Sequence, residues 1–236
     1  VPAPPSPASA DRRTPLRHSP ALRMGLSIAT AISLYGISFG ALSTAAGMSL
    51  WQTVALSALL FSGASQFAFI GILASGGTGA AALGASTLLS GRNTIYAVQM
   101  KALLNPKGFK RLAAAQITID ESAAVAMSAE NPLEQRRGFW GAGIACYLFW
   151  NLATVLGALL GDVIADPEAL GLDGAVVAAF LALLWPRLKS LDSWALAVLA
   201  ALITTLTMPL LAPGIPVLAA AVVAVIWGVA SKERGA

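Results

Sequence analysis

The residues of this chain best suited to chemistry are polar groups set inside apolar runs. Ser62-Gly63-Ala64-Ser65-Gln66 puts two hydroxyls, a glycine and an amide into one such run. Buried polar groups of this kind require hydrogen-bond partners. A helix restarting there would aim free backbone N–H groups, and the positive end of its dipole, at an anion. A polar kink packed against a neighbouring helix would satisfy the same residues, and both readings stand. Arg92, followed by Asn93 and Tyr96, interrupts a second run, and Asp120 with Glu121 interrupts a third. Either Arg92 pairs with one of those carboxylates, or it lies near an interface and extends its head to water. Neighbouring helix positions point about 100° apart, so Asp120 and Glu121 do not both face one partner. One can pair while the other titrates, or both can lie in water on an amphipathic helix. Asn93, Tyr96, Gln99, Gln116, Asn151 and Asp162 add further polar groups, and together they predict a wet interior.

Several chemistries are excluded. Gly36-Ile37-Ser38-Phe39-Gly40 fits the G-x-S-x-G pattern of serine hydrolases, which requires a preceding strand and a histidine partner. The sole histidine, His18, lies in the N-terminal tail, and the motif lies in an apolar helical run. Gly36 and Gly40 are better explained as a small-residue face for close helix packing, a spacing repeated by Gly157 and Gly161. One cysteine, Cys146, permits neither an intrachain disulfide nor a cysteine metal cluster. No nucleophile–base pair, metal site or cofactor motif is visible, so an enzyme is not expected.

The elements that must position these residues are set by composition. Hydrophobic residues make up 57% and charged residues 11% of the 236, against about 25% charged in soluble domains. Mean hydropathy is +0.74. Apolar runs of about 18 residues mark membrane spans, and the length allows roughly seven. The expected fold is all-α, a polytopic integral membrane helix bundle of about 6–8 hydrophobic segments with one or two broken or re-entrant helices. Residues 1–22, rich in Pro, Ala, Ser and Arg, form an expected disordered cytoplasmic tail, 23–231 the transmembrane domain and 232–236 a C-terminal cytoplasmic tail. A net charge of +4 carried in short connections orients the chain rather than binding nucleic acid.

Eight apolar segments are delimited: Met24 to Gly47, Trp51 to Ala74, Gly79 to Met100, Leu112 to Ala129, Gly138 to Gly161, Gly171 to Trp185, Trp194 to Ala212 and Ile215 to Ala230. Five tryptophans, Trp51, Trp140, Trp185, Trp194 and Trp227, lie near segment ends, as in interfacial belts. The basic tail and the connection Lys101, Lys107, Lys110 and Arg111 both belong inside, whereas Asp162, Asp166, Glu168 and Asp173 belong outside. Three segments between two inside connections break parity, so one does not cross. The second is the candidate. The fourth, flanked by basic residues on both sides, is another. Two interrupted segments in separate halves are a mark of transporters built from internal repeats, with substrate held where the helices break.

Gly36-Ile37-Ser38-Phe39-Gly40-Ala41, Phe61-Ser62-Gly63-Ala64-Ser65-Gln66-Phe67, Arg92 with Tyr96, and Asp120-Glu121-Ser122 appear in that order. In this the chain resembles the AzlC family of branched-chain amino acid exporters. The resemblance implies a permease that moves branched-chain amino acids out of a bacterial cell across its inner membrane, and a small hydrophobic AzlD-type partner subunit; the basic tail and the apolar segments make it multi-pass with a cytoplasmic N-terminus. One departure is Ser90-Gly91-Arg92-Asn93, where the family commonly has Asn-Leu-Arg-His, so any role of that histidine is missing here. The chemistry of a zwitterion then distributes the residues. Its carboxylate requires donors, from Arg92 or the half-helix near Gly63 to Gln66, and Ser62, Asn93 and Tyr96 complete the expected substrate-binding set. Its ammonium requires acceptors, from Asp120, Glu121 or freed carbonyls. A proton carried by Asp120 or Glu121 through 100 mV supplies about 2.3 kcal/mol, or roughly 50-fold accumulation. The alternatives are a passive channel for small solutes and a non-transporting scaffold subunit.

Overall fold

The computed structural model describes residues 15–163, 181, 184, 185, 188–211 and 215–234. Most of the expected N-terminal tail, most of the sixth apolar segment, and Asp166, Glu168 and Asp173 lie outside them. The described residues form helices and no strands: α1 (Pro20–Ala45), α2 (Leu50–Leu59), α3 (Gly63–Ala74), α4 (Gly79–Leu104), α5 (Phe109–Gln116), α6 (Asp120–Ser128), α7 (Pro132–Val163), α8 (Leu191–Thr207) and α9 (Ile215–Arg234). Local chemistry sets the ends. Ser19 caps α1, with Pro20 fixing its first turn. Ser49 and Gln52 form a capping box on α2. Asn105 stops α4 in the left-handed conformation, φ 44°.

The centre of the fold is the pair α1 and α7, which run parallel. The register shows this: Gly25 meets Ala142, Gly36 meets Ala153, and Gly161 meets Ala41 and Thr44. Glycine permits the approach. A Cβ on Gly40 would overlap the Thr154 carbonyl oxygen, and one on Gly157 would overlap that of Ile37. With little side chain between them, the two backbones touch, as small-xxx-small faces allow.

α4 runs the other way. Met100 and Leu104, near its C-terminal end, pack with Phe139 from the first turns of α7. The start of α1, the end of α4 and the start of α7 therefore share one end of the bundle. Arg23, Lys101, Arg136 and Arg137 collect there.

The directions of the broken helices follow from this arrangement. α2 leaves from the far end, breaks at Leu60-Phe61-Ser62, and continues as α3 back to the far end, where α4 begins. α5 leaves from the basic end, breaks at Ile117-Thr118-Ile119, and continues as α6 back to the basic end, where α7 begins. The sequence places the first interruption at Ser62 to Gln66. The chain instead breaks just before it, and Gly63 to Gln66 are the first turn of α3. Thus α2–α3–α4 and α5–α6–α7 follow one plan, have equal length and enter from opposite ends. The order of elements has the form of an inverted-topology repeat.

Each break is tied inside the protein. Gln66 Nε2 donates to the Leu60 and Ser57 carbonyls, at 2.7 and 3.2 Å. The Ala58 carbonyl accepts from Gln116 Nε2 at 2.7 Å and from the Tyr147 hydroxyl at 3.2 Å. Ser122 Oγ accepts from the Ile119 N–H at 3.1 Å and donates to the Ile117 carbonyl at 2.7 Å. Freed backbone groups away from water require such partners. The Gln116 contact also joins the two breaks, since it runs from the end of α5 to the end of α2.

The polarity of the molecule is reversed relative to a soluble protein. Ser43, Thr53, Ser57, Ser65, Gln66, Ser86, Ser122 and Thr154 are fully buried, while Leu34, Leu83, Ile95, Val98 and Leu152 are each at least 60% exposed. Of the described helices, two are long and apolar enough to cross a membrane, Pro20–Ala45 and Pro132–Gly161. α4 is as long as α1, but Ser, Thr, Gly and Arg92 make it less apolar.

Candidate functional site

The two breaks face a common cavity of about 320 Å³, at the small end of the range for small-molecule sites. One wall is the start of α3: Ser62, Gly63 and Ala64. Ser62 is the N-cap of α3, but its hydroxyl bonds Ser65 at 3.0 Å and caps no backbone amide. Ser65 is held in turn by Ser90 of α4 at 2.9 Å. That wall presents the positive end of a helix dipole lined by hydroxyls. The opposite wall is the start of α6: Ile119, Asp120 and Glu121. Two carboxylates in the first turn complement that helix's own dipole. Arg92 of α4 stands between, with Nη1 3.4 Å from Asp120 Oδ2. Its Nε is buried and makes no hydrogen bond among the described residues.

The remaining surface is apolar. Ile32 and Tyr35 of α1, Phe61, Phe67, Leu89, Trp150 and Leu184 complete the lining. Trp150 is fixed by three contacts. Its indole N–H donates to Gln66 Oε1 at 2.8 Å, and its ring packs against those of Phe39 and Phe67. Glycine at 63 leaves room for this ring, because a Cβ there would sit 3.2 Å from Trp150 Cη2.

Of the residues singled out in the sequence, Ser62, Gly63, Ala64, Arg92, Asp120 and Glu121 line the cavity together. Ser65 and Gln66 stand behind the wall, fully buried. Gln66 has its amide engaged on both sides, by two carbonyls and an indole, so it braces the break. Asn93 and Tyr96 lie elsewhere. Tyr96 packs near Met100 and Phe139, and the Asn93 amide oxygen is buried without a partner among the described residues. Gly36, Gly40, Gly157 and Gly161 form the α1–α7 contact. The sequence reasoning passed over Trp150 and Tyr35. Trp150 carried a signal, as the tryptophan set in mid-run rather than at a segment end.

A bundle that buries hydroxyls, exposes leucines and breaks two helices around a charged cavity is a helical membrane protein with an internal polar site. The AzlC protein family profile matches residues 27–164, a stretch that includes both breaks and most of the α1–α7 contact. The chain belongs to the AzlC family, and with that to proteins of a membrane transport-related role rather than a catalytic one. No curated protein and no solved structure matches it.

Proposed function

We propose that this protein is a secondary transporter exporting neutral aliphatic amino acids across the bacterial inner membrane, with Leu, Ile and Val as substrates. The observation that carries the proposal is the pair of half-helix starts, α3 and α6, facing one cavity with opposite electrostatic character. A zwitterion fits that polarity. Its carboxylate goes to the α3 start at Gly63 and Ala64. Its ammonium goes to Glu121, while Asp120 stays paired with Arg92. Arg92, already beside Asp120, sets the balance of charge and excludes a second cation. The aliphatic chain lies against Phe61, Phe67, Ile119 and Trp150.

The inverted repeat supports alternating access, in which the two halves exchange roles about a fixed central site. Glu121 and Asp120 are the proton carriers for coupling. The basic end faces the cytoplasm, and so does the N-terminus, as the positive-inside rule directs. On this orientation both broken segments are re-entrant, one from each side, and α1, α4 and α7 cross. A small hydrophobic AzlD-type subunit completes the transporter in the membrane.

Counterflow in proteoliposomes tests the proposal. Vesicles preloaded with unlabelled leucine are expected to accumulate labelled leucine and valine saturably, and alanine less. A flux that rises linearly with concentration favours a channel. No flux, with the partner subunit present, favours a scaffold.

A further inference from the structure

Away from the central cavity, the base of α5 carries a basic surface with an apolar face beside it. Lys101 lies in the last turn of α4, Lys107 in the connection that follows, and Lys110 and Arg111 in the first turn of α5. All four are exposed. Among the described residues none of them forms an ion pair or a side-chain hydrogen bond. The chain offers them no local counter-ion, since no Asp or Glu lies between Asp11 and Asp120. At the same end of the bundle, Glu134 is already engaged by Ser19, Ala21 and Arg137. A cluster of one sign draws its counter-ions from outside the chain. The helix is also thinly covered. Only Ala114 of α5 is buried, while Phe109 is 83% and Leu112 68% exposed. Three positions apart, those two share one face, and Lys110 and Arg111 fall on either side of it.

We propose that this surface docks on anionic phospholipids of the surrounding membrane, with phosphates gathered at Lys107, Lys110 and Arg111 and with Phe109 and Leu112 in the acyl region. Two features select lipid over a soluble polyanion. The exposed apolar pair stands on the same short helix as the cations, and a soluble polyanion would leave it in water. The length also fits. α5 rises about 12 Å, so its base reaches the headgroups while the rest stays within one leaflet's hydrocarbon of about 15 Å. Four Lys and Arg residues just beyond a membrane helix attract an anionic leaflet in this way. Lipid held there grips α5 at its base. The other end of α5 is Gln116, which donates to the Ala58 carbonyl at the break between α2 and α3, at 2.7 Å. One helix thus ties the membrane surface to the interior break. The inference requires the chain to sit in a bilayer and is independent of the solute it moves.

Native mass spectrometry of the full chain tests it, with dioleoyl phosphatidylglycerol and dioleoyl phosphatidylcholine offered in equal amounts. Phosphatidylglycerol adducts are expected to exceed phosphatidylcholine adducts by about tenfold or more. Lys110→Gln should lower that ratio by about fivefold, the contribution of one cation near a headgroup. Lys107→Gln/Lys110→Gln/Arg111→Gln, all exposed changes, should bring the two lipids close to parity while the protein stays monodisperse. A ratio unmoved by the triple variant overturns the proposal. Hydrogen exchange in nanodiscs gives a second readout. Amides of residues 109–116 should exchange several-fold more slowly in phosphatidylglycerol than in phosphatidylcholine, and the triple variant should lose that difference. Equal exchange of the wild type in the two lipids also overturns it. Inorganic polyphosphate held by the wild type more tightly than phosphatidylglycerol, and lost in the triple variant, would assign the surface to a soluble polyanion instead.

Discussion

Arg92 of α4 and Asp120 of α6 face each other at 3.4 Å across the tips of two opposed helical breaks, each side chain a little over a quarter exposed. The pair joins the two halves of an inverted repeat at the wall of the one cavity that both breaks line. An ionisable residue set inside an otherwise apolar helix tends to be paired.

Removing one member should do more harm than removing both. Arg92→Ala leaves a carboxylate in poor solvent, and Asp120→Ala leaves a guanidinium. Each is expected to lower the yield of folded protein, and Arg92→Ala/Asp120→Ala to recover much of it, since an uncompensated charge costs more than an absent pair. The double variant should still fail to exchange leucine in counterflow. Recovery of exchange along with folding would mean that the pair is structural only.

Gln66 and Gly63 separate bracing from binding. Gln66→Leu strips partners from the Leu60 and Ser57 carbonyls and the Trp150 indole. Each bare group costs roughly 1–3 kcal/mol, so thermal unfolding should move down by several degrees. A raised KM with unchanged unfolding would instead make Gln66 a substrate ligand. Gly63→Ala puts a methyl 3.2 Å from Trp150. It should raise KM several-fold for leucine and less for alanine, with little change in stability.

The α1–α7 contact should tolerate no added side chain. Gly157→Val places carbon atoms onto the Ile37 carbonyl, and such overpacking costs about 1–3 kcal/mol or more. Gly91→Ala meets nothing within 4 Å and should stabilise α4 by up to about 1 kcal/mol. Chemical unfolding in detergent checks both, and equal effects would contradict the register described here.

Proton coupling is read most directly at the first turn of α6. Leucine export driven by an imposed pH gradient should lose that drive in Glu121→Gln or Asp120→Asn, while exchange at equal pH persists in at least one of them. Gradient-driven export unchanged in both variants would remove the carboxylates from coupling.

Much of this architecture was visible in the letters, because the signals were matters of solvent. A weak fourth segment flanked by Lys110, Arg111, Arg136 and Arg137 could not cross easily, and α5–α6 does turn back. Polar residues at 62 to 66 announced a break, although hydrophobicity alone could not place it at Leu60-Phe61-Ser62. The role of Gln66 was hidden, since only geometry shows which carbonyls a break frees. The repeat was hidden too. Ser62-Gly63-Ala64-Ser65 and Ile119-Asp120-Glu121-Ser122 share one serine, at the third residue of each half-helix. Ser122 bonds the freed backbone at its break, whereas Ser65 bonds only the Ser62 and Ser90 hydroxyls, so the shared letter has two different jobs. Trp150 went unnoticed because an indole in mid-run looks like core until its N–H is followed to Gln66.

Accessibility of the cavity wall to water and to leucine tests the central claim most directly. Cys146 is fully buried, so Cys146→Ala gives a quiet background in which Ala64→Cys reports on the start of α3. The thiol at position 64 should react with a membrane-impermeant maleimide in reconstituted vesicles, several-fold more slowly when leucine is present and no more slowly with lysine or glutamate. A thiol that never reacts, or one that reacts at the same rate with and without leucine, would contradict the account.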